Sequence, residues 1–124
     1  MENTFFKGRF KILDFSIAHK ILLIRKEEVV NHKFKNTDLL FAGTFFIELP
    51  TILDDISIFL GNEEDYEYLR GKMTEELILE NLNTSSIFCI KSCGLKYYVV
   101  ADTLEINEND YDPSETSIGL KRKP

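Results

Sequence analysis

The chain has 124 residues, 44% of them hydrophobic and 29% charged, with ten Phe, five Tyr and no Trp. That length and apolar content suit one domain with one real core, and exclude a disordered or collagen-like chain, a TIM barrel and a full dinucleotide-binding fold. The net charge is −6, but residues 1–36 hold eight Lys/Arg against four Asp/Glu, while residues 37–124 hold seven against seventeen.

An acidic surface repels phosphate backbones and steers basic partners, so nucleic acid is not an expected ligand. Two cysteines, Cys89 and Cys93, are too few for a disulfide scaffold. Met1-Glu2-Asn3 opens with an acid and no apolar stretch of signal-peptide type follows, so the expected compartment is the cytoplasm. Apolar runs such as Ile21–Ile24 fall far short of a membrane span.

In chain order, Lys7, Arg9 and Lys11 share one strand face with Phe6 and Phe10 on the other, a basic stripe that an ordinary edge strand also presents. Phe10–Phe15 alternates at Phe10 and Ile12, then changes phase to Leu13 and Phe15. That change predicts a β-bulge or a strand buried on both faces. Ile21–Ile24, set between His19-Lys20 and Arg25-Lys26, predicts a short central strand. Asn31-His32-Lys33 followed by Lys35-Asn36 reads as a polar connection. Leu39–Leu49 carries the strongest strand signal, with Gly43 marking a turn, bulge or sheet corner and Pro50 ending the ladder. Asp54-Asp55 then predicts a turn, and Ile56, Ile58 and Leu60 one face of a further strand.

Asn62-Glu63-Glu64-Asp65 reads as a helix start, because Asn62 can cap and three acids complement the positive helix end. Tyr66, Leu69 and Met73 lie on one helical face, and Arg70-Gly71 supplies a stop. The alternation of Tyr66 and Tyr68 leaves a strand as the alternative. Glu75–Leu82 fits either a strand or a helix capped by Thr74. Ser86–Lys91 and Leu95–Ala101 flank Ser92-Cys93-Gly94 as a hairpin. A two-residue loop would set Lys91 opposite Lys96, so a three-residue loop pairing Ile90 with Lys96 and Phe88 with Tyr98 is the expected register. Thr103–Asn107 is the last expected strand, and Glu108–Glu115 reads as a polar, acidic stretch.

The expected fold is therefore mainly β, a β-rich α+β domain. Its antiparallel sheet curls into a small barrel or sandwich of about seven strands, with one or two short helices. One domain is expected over residues 1–113, with residues 114–124 a flexible tail ending in Lys121-Arg122-Lys123.

Little in the chain points to chemistry. Cys89 and Cys93 lack zinc spacing and His19 and His32 are the only histidines, so no metal and no cofactor are expected. Glu105–Asp112 is rich in oxygen ligands but lacks the glycine and terminal glutamate of a calcium loop. Ser16 and His19 are not spaced to converge in a strand or turn, and no nucleophile elbow or phosphate loop occurs. The most distinctive candidate is the acid–aromatic cluster Glu63, Glu64, Asp65, Tyr66, Glu67 and Tyr68. Carboxylates there would pair with Lys/Arg of a partner, while tyrosines add rigid contact area.

Phe10–Ile24, Thr37–Gly43 through Ile47-Glu48-Leu49-Pro50, and Tyr97-Tyr98-Val99-Val100-Ala101 resemble small bacterial proteins of the immunity type, encoded beside toxin genes. The resemblance rests on core and turn positions, and no binding residue is carried over from it. It implies a protein that binds a toxin and blocks it without chemistry of its own. The expected function is thus a non-catalytic cytoplasmic module for a basic protein partner. Two alternatives stay open: a small-molecule or lipid-binding barrel with Phe45, Phe46 and Tyr98 around a cavity, and a subunit that self-associates through sheet edges.

Overall fold

Every strand in the computed structural model, which describes residues 2–115 and Ile118, pairs antiparallel with its neighbours in one sheet. In chain order the strands are β1 (Thr4–Ser16), β2 (Ile21–Val30), β3 (Lys33–Ala42), β4 (Phe46–Glu48), β5 (Ile52–Leu60), β6 (Ile87–Ser92), β7 (Leu95–Val100) and β8 (Thr103–Asn109). Helices α1 (Glu63–Arg70) and α2 (Glu75–Asn81) lie between β5 and β6. The sheet order is β4-β7-β6-β5-β1-β2-β3-β8.

Two short links force this sheet to curl. Only Ala101 and Asp102 join β7, second in the sheet, to β8 at the far edge, and only Gly43, Thr44 and Phe45 join β3 to β4. Laid flat, β7 and β8 would be roughly 29 Å apart at ~4.8 Å per strand, whereas three Cα steps reach about 11 Å. Backbone bonds tie the links at one corner: Asp102 donates to the Ala42 carbonyl (2.9 Å) and Phe45 to that of Val100 (3.0 Å). Gly43 sits there at φ +66°, where a Cβ would overlap the Asp102 carboxylate, so the glycine makes the corner. The strands β4 and β8 do not pair with each other. The expected antiparallel, mainly β class thus holds, with eight strands in one curled open sheet.

Inside the curl, Phe10, Leu22, Ile24, Leu39, Phe41, Leu53, Ile56, Ile58, Phe88, Ile90 and Val99 form the main core. A second core lies between the helices and the outer face of β6 and β7, built from Leu69, Leu82, Ile87, Cys89, Tyr98 and Val100 with Phe45, Phe46, Tyr66 and Met73 against them. Both faces of β6 are therefore buried, which explains why Ile87–Ile90 is apolar without alternation.

Several local expectations hold. The β1–β2 register shifts between Ile12 and Asp14, where the phase changes in sequence. Asn62 caps α1 through its side chain, which accepts from Glu64 and Asp65, and Asp65 reciprocates by accepting from the Asn62 N–H (2.9 Å). Ser16 Oγ accepts from the backbone N–H of His19 (3.3 Å), closing the β1–β2 turn with His19 exposed. Thr74 caps α2, which settles that segment as helical.

Four expectations are corrected. Strand β2 does not stop at Ile24 but runs to Val30, and the expected polar connection contracts to a tight turn at Asn31 (φ 53°) and His32 (φ 63°), with Lys35 and Asn36 inside β3. Asp54-Asp55 is not a turn. It lies within β5, where Asp55 adopts φ 49° and its carboxylate accepts from the Gly8 N–H (2.7 Å) at an irregularity opposite β1. The acidic stretch after Asn107 is strand as far as Asn109.

The fourth correction concerns the β6–β7 hairpin, which has a two-residue loop, Cys93-Gly94, and does set Lys91 opposite Lys96. Both loop residues have positive φ (52° and 79°), the twist-matched hairpin turn. Lys96 is drawn to Asp65 (2.7 Å), an attraction that outweighs its exposed like-charged neighbour. Cysteine is poorly suited to that left-handed position and asparagine well suited. Cys93→Asn is therefore expected to stabilise the fold by about 0.5 kcal/mol, read as a raised thermal midpoint; an unchanged or lower midpoint would count against this turn.

Of the expected tail, Ser114, Glu115 and Ile118 are described. The Glu115 carbonyl accepts from Arg25, and Ile118 is buried. Its other residues, Lys121-Arg122-Lys123 included, lie outside the described residues.

Candidate protein-docking surface

Asp65 fixes the helical layer to the sheet. It is 3% exposed, although it belongs to the first turn of α1. Its carboxylate accepts from Lys96 Nζ (2.7 Å), the Tyr98 hydroxyl (2.8 Å), the Asn62 N–H and the Cys89 thiol (3.5 Å). Burial alone would push the Asp65 carboxyl up. Hydrogen bonds from Lys96, Asn62 and Tyr98, with the Lys96 charge, outweigh burial and hold it below the usual carboxylate range. Burial, with the Asp65 charge beside it, pushes the Cys89 thiol up to about 12 and raises the Tyr98 phenol as well. Cys89 is accordingly a packed thiol rather than a nucleophile at neutral pH.

With Asp65 turned inward, the sequence cluster divides by face. Glu63, Glu64 and Glu67 are exposed, while Tyr66 is half-buried against the second core. Tyr68 is exposed at its edge but tethered. Its hydroxyl donates to the Glu48 carboxylate of β4 (3.0 Å), and its ring stacks on Tyr98 at 5.2 Å with Lys72 Nζ 5.1 Å from its centroid. Of the six candidates, three glutamates and the edge of Tyr68 form a surface; Asp65 and most of Tyr66 hold it in place.

Helix α2 enlarges that surface. Glu75, Glu76 and Glu80 are exposed, and residues 62–82 hold seven acids against Arg70 and Lys72. Among the described residues Glu63, Glu75, Glu76 and Glu80 have no ion-pair partner. A cleft of about 220 Å³ between the helices is lined by Tyr66, Arg70, Glu75, Ile78 and Leu79. Leu79 is 86% exposed at its rim, with Leu77 also exposed. Sequence reasoning missed α2 as part of the site because Glu75–Leu82 fits either period; its Thr74 cap was the available signal.

Of the aromatics weighed for a ligand cavity, Phe45 and Phe46 pack against the second core that contains Tyr98. Phe45 and Phe46 line a shallow pocket of about 180 Å³ with Phe15, Thr44 and Ile47, and Tyr98 is not among its lining residues. On the basic stripe, Lys7, Arg9 and Lys11 are exposed on one face of β1, with Arg9 paired to Asp54 (2.9 Å).

A second buried polar cluster was not foreseen. Arg25, 2% exposed, makes a two-point ion pair with Asp38 (2.6 and 3.0 Å) on the outer face of β2 and β3. Asn109 donates to Asp38 (2.8 Å), Asn36 donates to the Tyr111 carbonyl (2.7 Å), and Arg25 lies 5.7 Å from the Tyr111 ring centroid. Residues 109–115 are thereby pinned back across β3 and β2.

No group of three or more potential metal-ligating side chains occurs among the described residues, and no described helix is long and apolar enough to cross a membrane. No family model, curated protein or solved structure matches the chain.

Proposed function

We propose that the chain is a non-catalytic, cytoplasmic protein-binding module of the immunity type, which occludes a basic partner through the face of α1 and α2. The observation that carries this reading is the composition of that face: six exposed glutamates lie on α1 and α2, one of them, Glu75, lining a cleft with the exposed Leu79, and Leu77 is exposed on the same helix as Leu79. The carboxylates steer a basic partner and the leucines supply apolar contact at close range. Anchoring through Asp65 holds α1 before the partner arrives, so little ordering cost falls on binding there.

Charge reversal tests this. For a basic partner captured with the wild-type protein, Glu63→Lys/Glu64→Lys/Glu67→Lys is expected to slow association about tenfold at low salt and to flatten its salt dependence. Reversal of two acids elsewhere, Glu2→Lys/Glu28→Lys, raises the net charge by four against the six of the helical variant, and should slow association far less than in that proportion. Equal slowing by both variants, or by neither, would overturn the assignment of this face.

A further inference from the structure

The two edges of the open sheet are guarded very differently. Strand β4 is three residues long and is followed closely by Pro50, a short edge of the kind that resists pairing. Strand β8 is seven residues long, contains no proline, and runs in unbroken register with β3 from Thr103 to Asn109. Among the described residues it pairs with β3 alone. The chain beyond it turns back over the outer face of β3 and β2, where the Tyr111 and Glu115 carbonyls accept from Asn36 and Arg25. That path leads away from the free edge.

Beside this edge the interior of the curl is open. Leu104 and Ile106 face inward, opposite the fully buried Phe41 and Leu39 of β3, yet Ile106 is 43% exposed. With Leu60, Phe88, Ser85 and Thr103 they line a groove of about 380 Å³. A regular free edge beside an apolar groove meets both needs of strand addition: main-chain donors and acceptors, and a pocket for alternate side chains.

Charge selects the occupant. Residues 101–112 carry Asp102, Glu105, Glu108, Asp110 and Asp112 and no Lys or Arg. Two copies meeting edge to edge would set these acids against each other, whereas a basic strand would meet them as counter-charges. We propose that the free edge of β8 accepts an extended segment of a basic partner protein as an added strand, its apolar side chains entering the groove between Ile106 and Phe88. The inference rests on the reading above that the partner is a basic protein, and adds a second contact of different geometry. Ser85, in the turn that follows α2, lies in the wall of this groove, which links it to the helical face.

The probe is a seven-residue peptide, matched to β8, in which lysines alternate with valines, titrated into the isotopically labelled protein. Expected are shifts at Leu104, Ile106 and Phe88 and slowed amide exchange along β8. N-methylation of the peptide at alternate residues keeps its charge but removes main-chain donors, and is expected to weaken binding about tenfold. Glu105→Lys/Glu108→Lys should weaken binding comparably, and both positions are exposed, so the fold is retained. Shifts confined to α1 and α2, or affinity indifferent to N-methylation, would overturn strand addition. Loss of the captured partner on reversing Glu63, Glu64 and Glu67, with no response to the β8 changes, would leave the helical face standing alone. Protection of β8 by the peptide, with partner association indifferent to the helical reversal, would reject the helical face and keep the edge.

Discussion

Asp65→Asn is expected to destabilise the fold by about 3 kcal/mol. The wild-type carboxylate accepts from Asn62, Lys96 and Tyr98, with the Cys89 thiol beside it. An asparagine replaces one of those acceptor oxygens with an NH₂ group, which must then face either the Asn62 N–H or the Lys96 and Tyr98 donors. The capping box of α1 and the anchor of the helical layer weaken together. Urea unfolding checks this, with a lower midpoint at unchanged slope. Exposed Glu64→Gln, one residue away, should fall within about 0.5 kcal/mol of wild type. Equal stability of the two variants would show that the buried carboxylate contributes little.

The same residue fixes a pH dependence. Its carboxyl is held below the usual range in the folded state, so its contribution is fully present above the unfolded value near pH 4 and is lost as pH falls through the lower folded value. Wild type should therefore lose this part of its stability below about pH 4, and Asp65→Asn should lack that part of the acid limb. Parallel acid profiles for the two proteins would contradict the assignment.

Asp38→Leu is expected to cost about 3–5 kcal/mol, because it leaves a buried guanidinium without its carboxylate. Arg25→Met leaves the converse, a buried carboxylate that keeps only part of its donor set. The double variant replaces the pair by apolar side chains and should be less destabilised than the sum by at least about 2 kcal/mol. Strict additivity in a thermodynamic cycle would show that the two groups do not depend on each other. Faster amide exchange in residues 110–115 should accompany either single change, since Arg25 bonds the Glu115 carbonyl.

The contrast between these buried charges and the surface marks what local sequence can and cannot tell. The cap at Asn62 and the phase change at Leu13 are decided by neighbours in the chain, and each was legible; so was the break at Gly43, through its missing Cβ, although the Asp102 that crowds it lies far along the chain. Arg25 was not. It reads as the charged boundary of Ile21–Ile24, and its burial depends on Asp38 thirteen residues on and Glu115 ninety residues on. The β6–β7 register failed for the same reason: repulsion between Lys91 and Lys96 is a local argument, and Asp65, 31 residues from Lys96, reverses its weight. Within the candidate surface the type of residue was legible but not its direction. Asp65 looks like its glutamate neighbours in sequence, and only the packing of α1 on β7 separates them.

The proposed role of the acidic helical face is to dock a basic protein. It is tested most directly by affinity purification from the protein's own cells with two baits in parallel, the wild type and Glu63→Lys/Glu64→Lys/Glu67→Lys, each followed by mass spectrometry. Expected is one basic protein in stoichiometric yield on the wild-type bait, lost from the reversed bait. Recovery of the same protein in equal yield on both baits would contradict it.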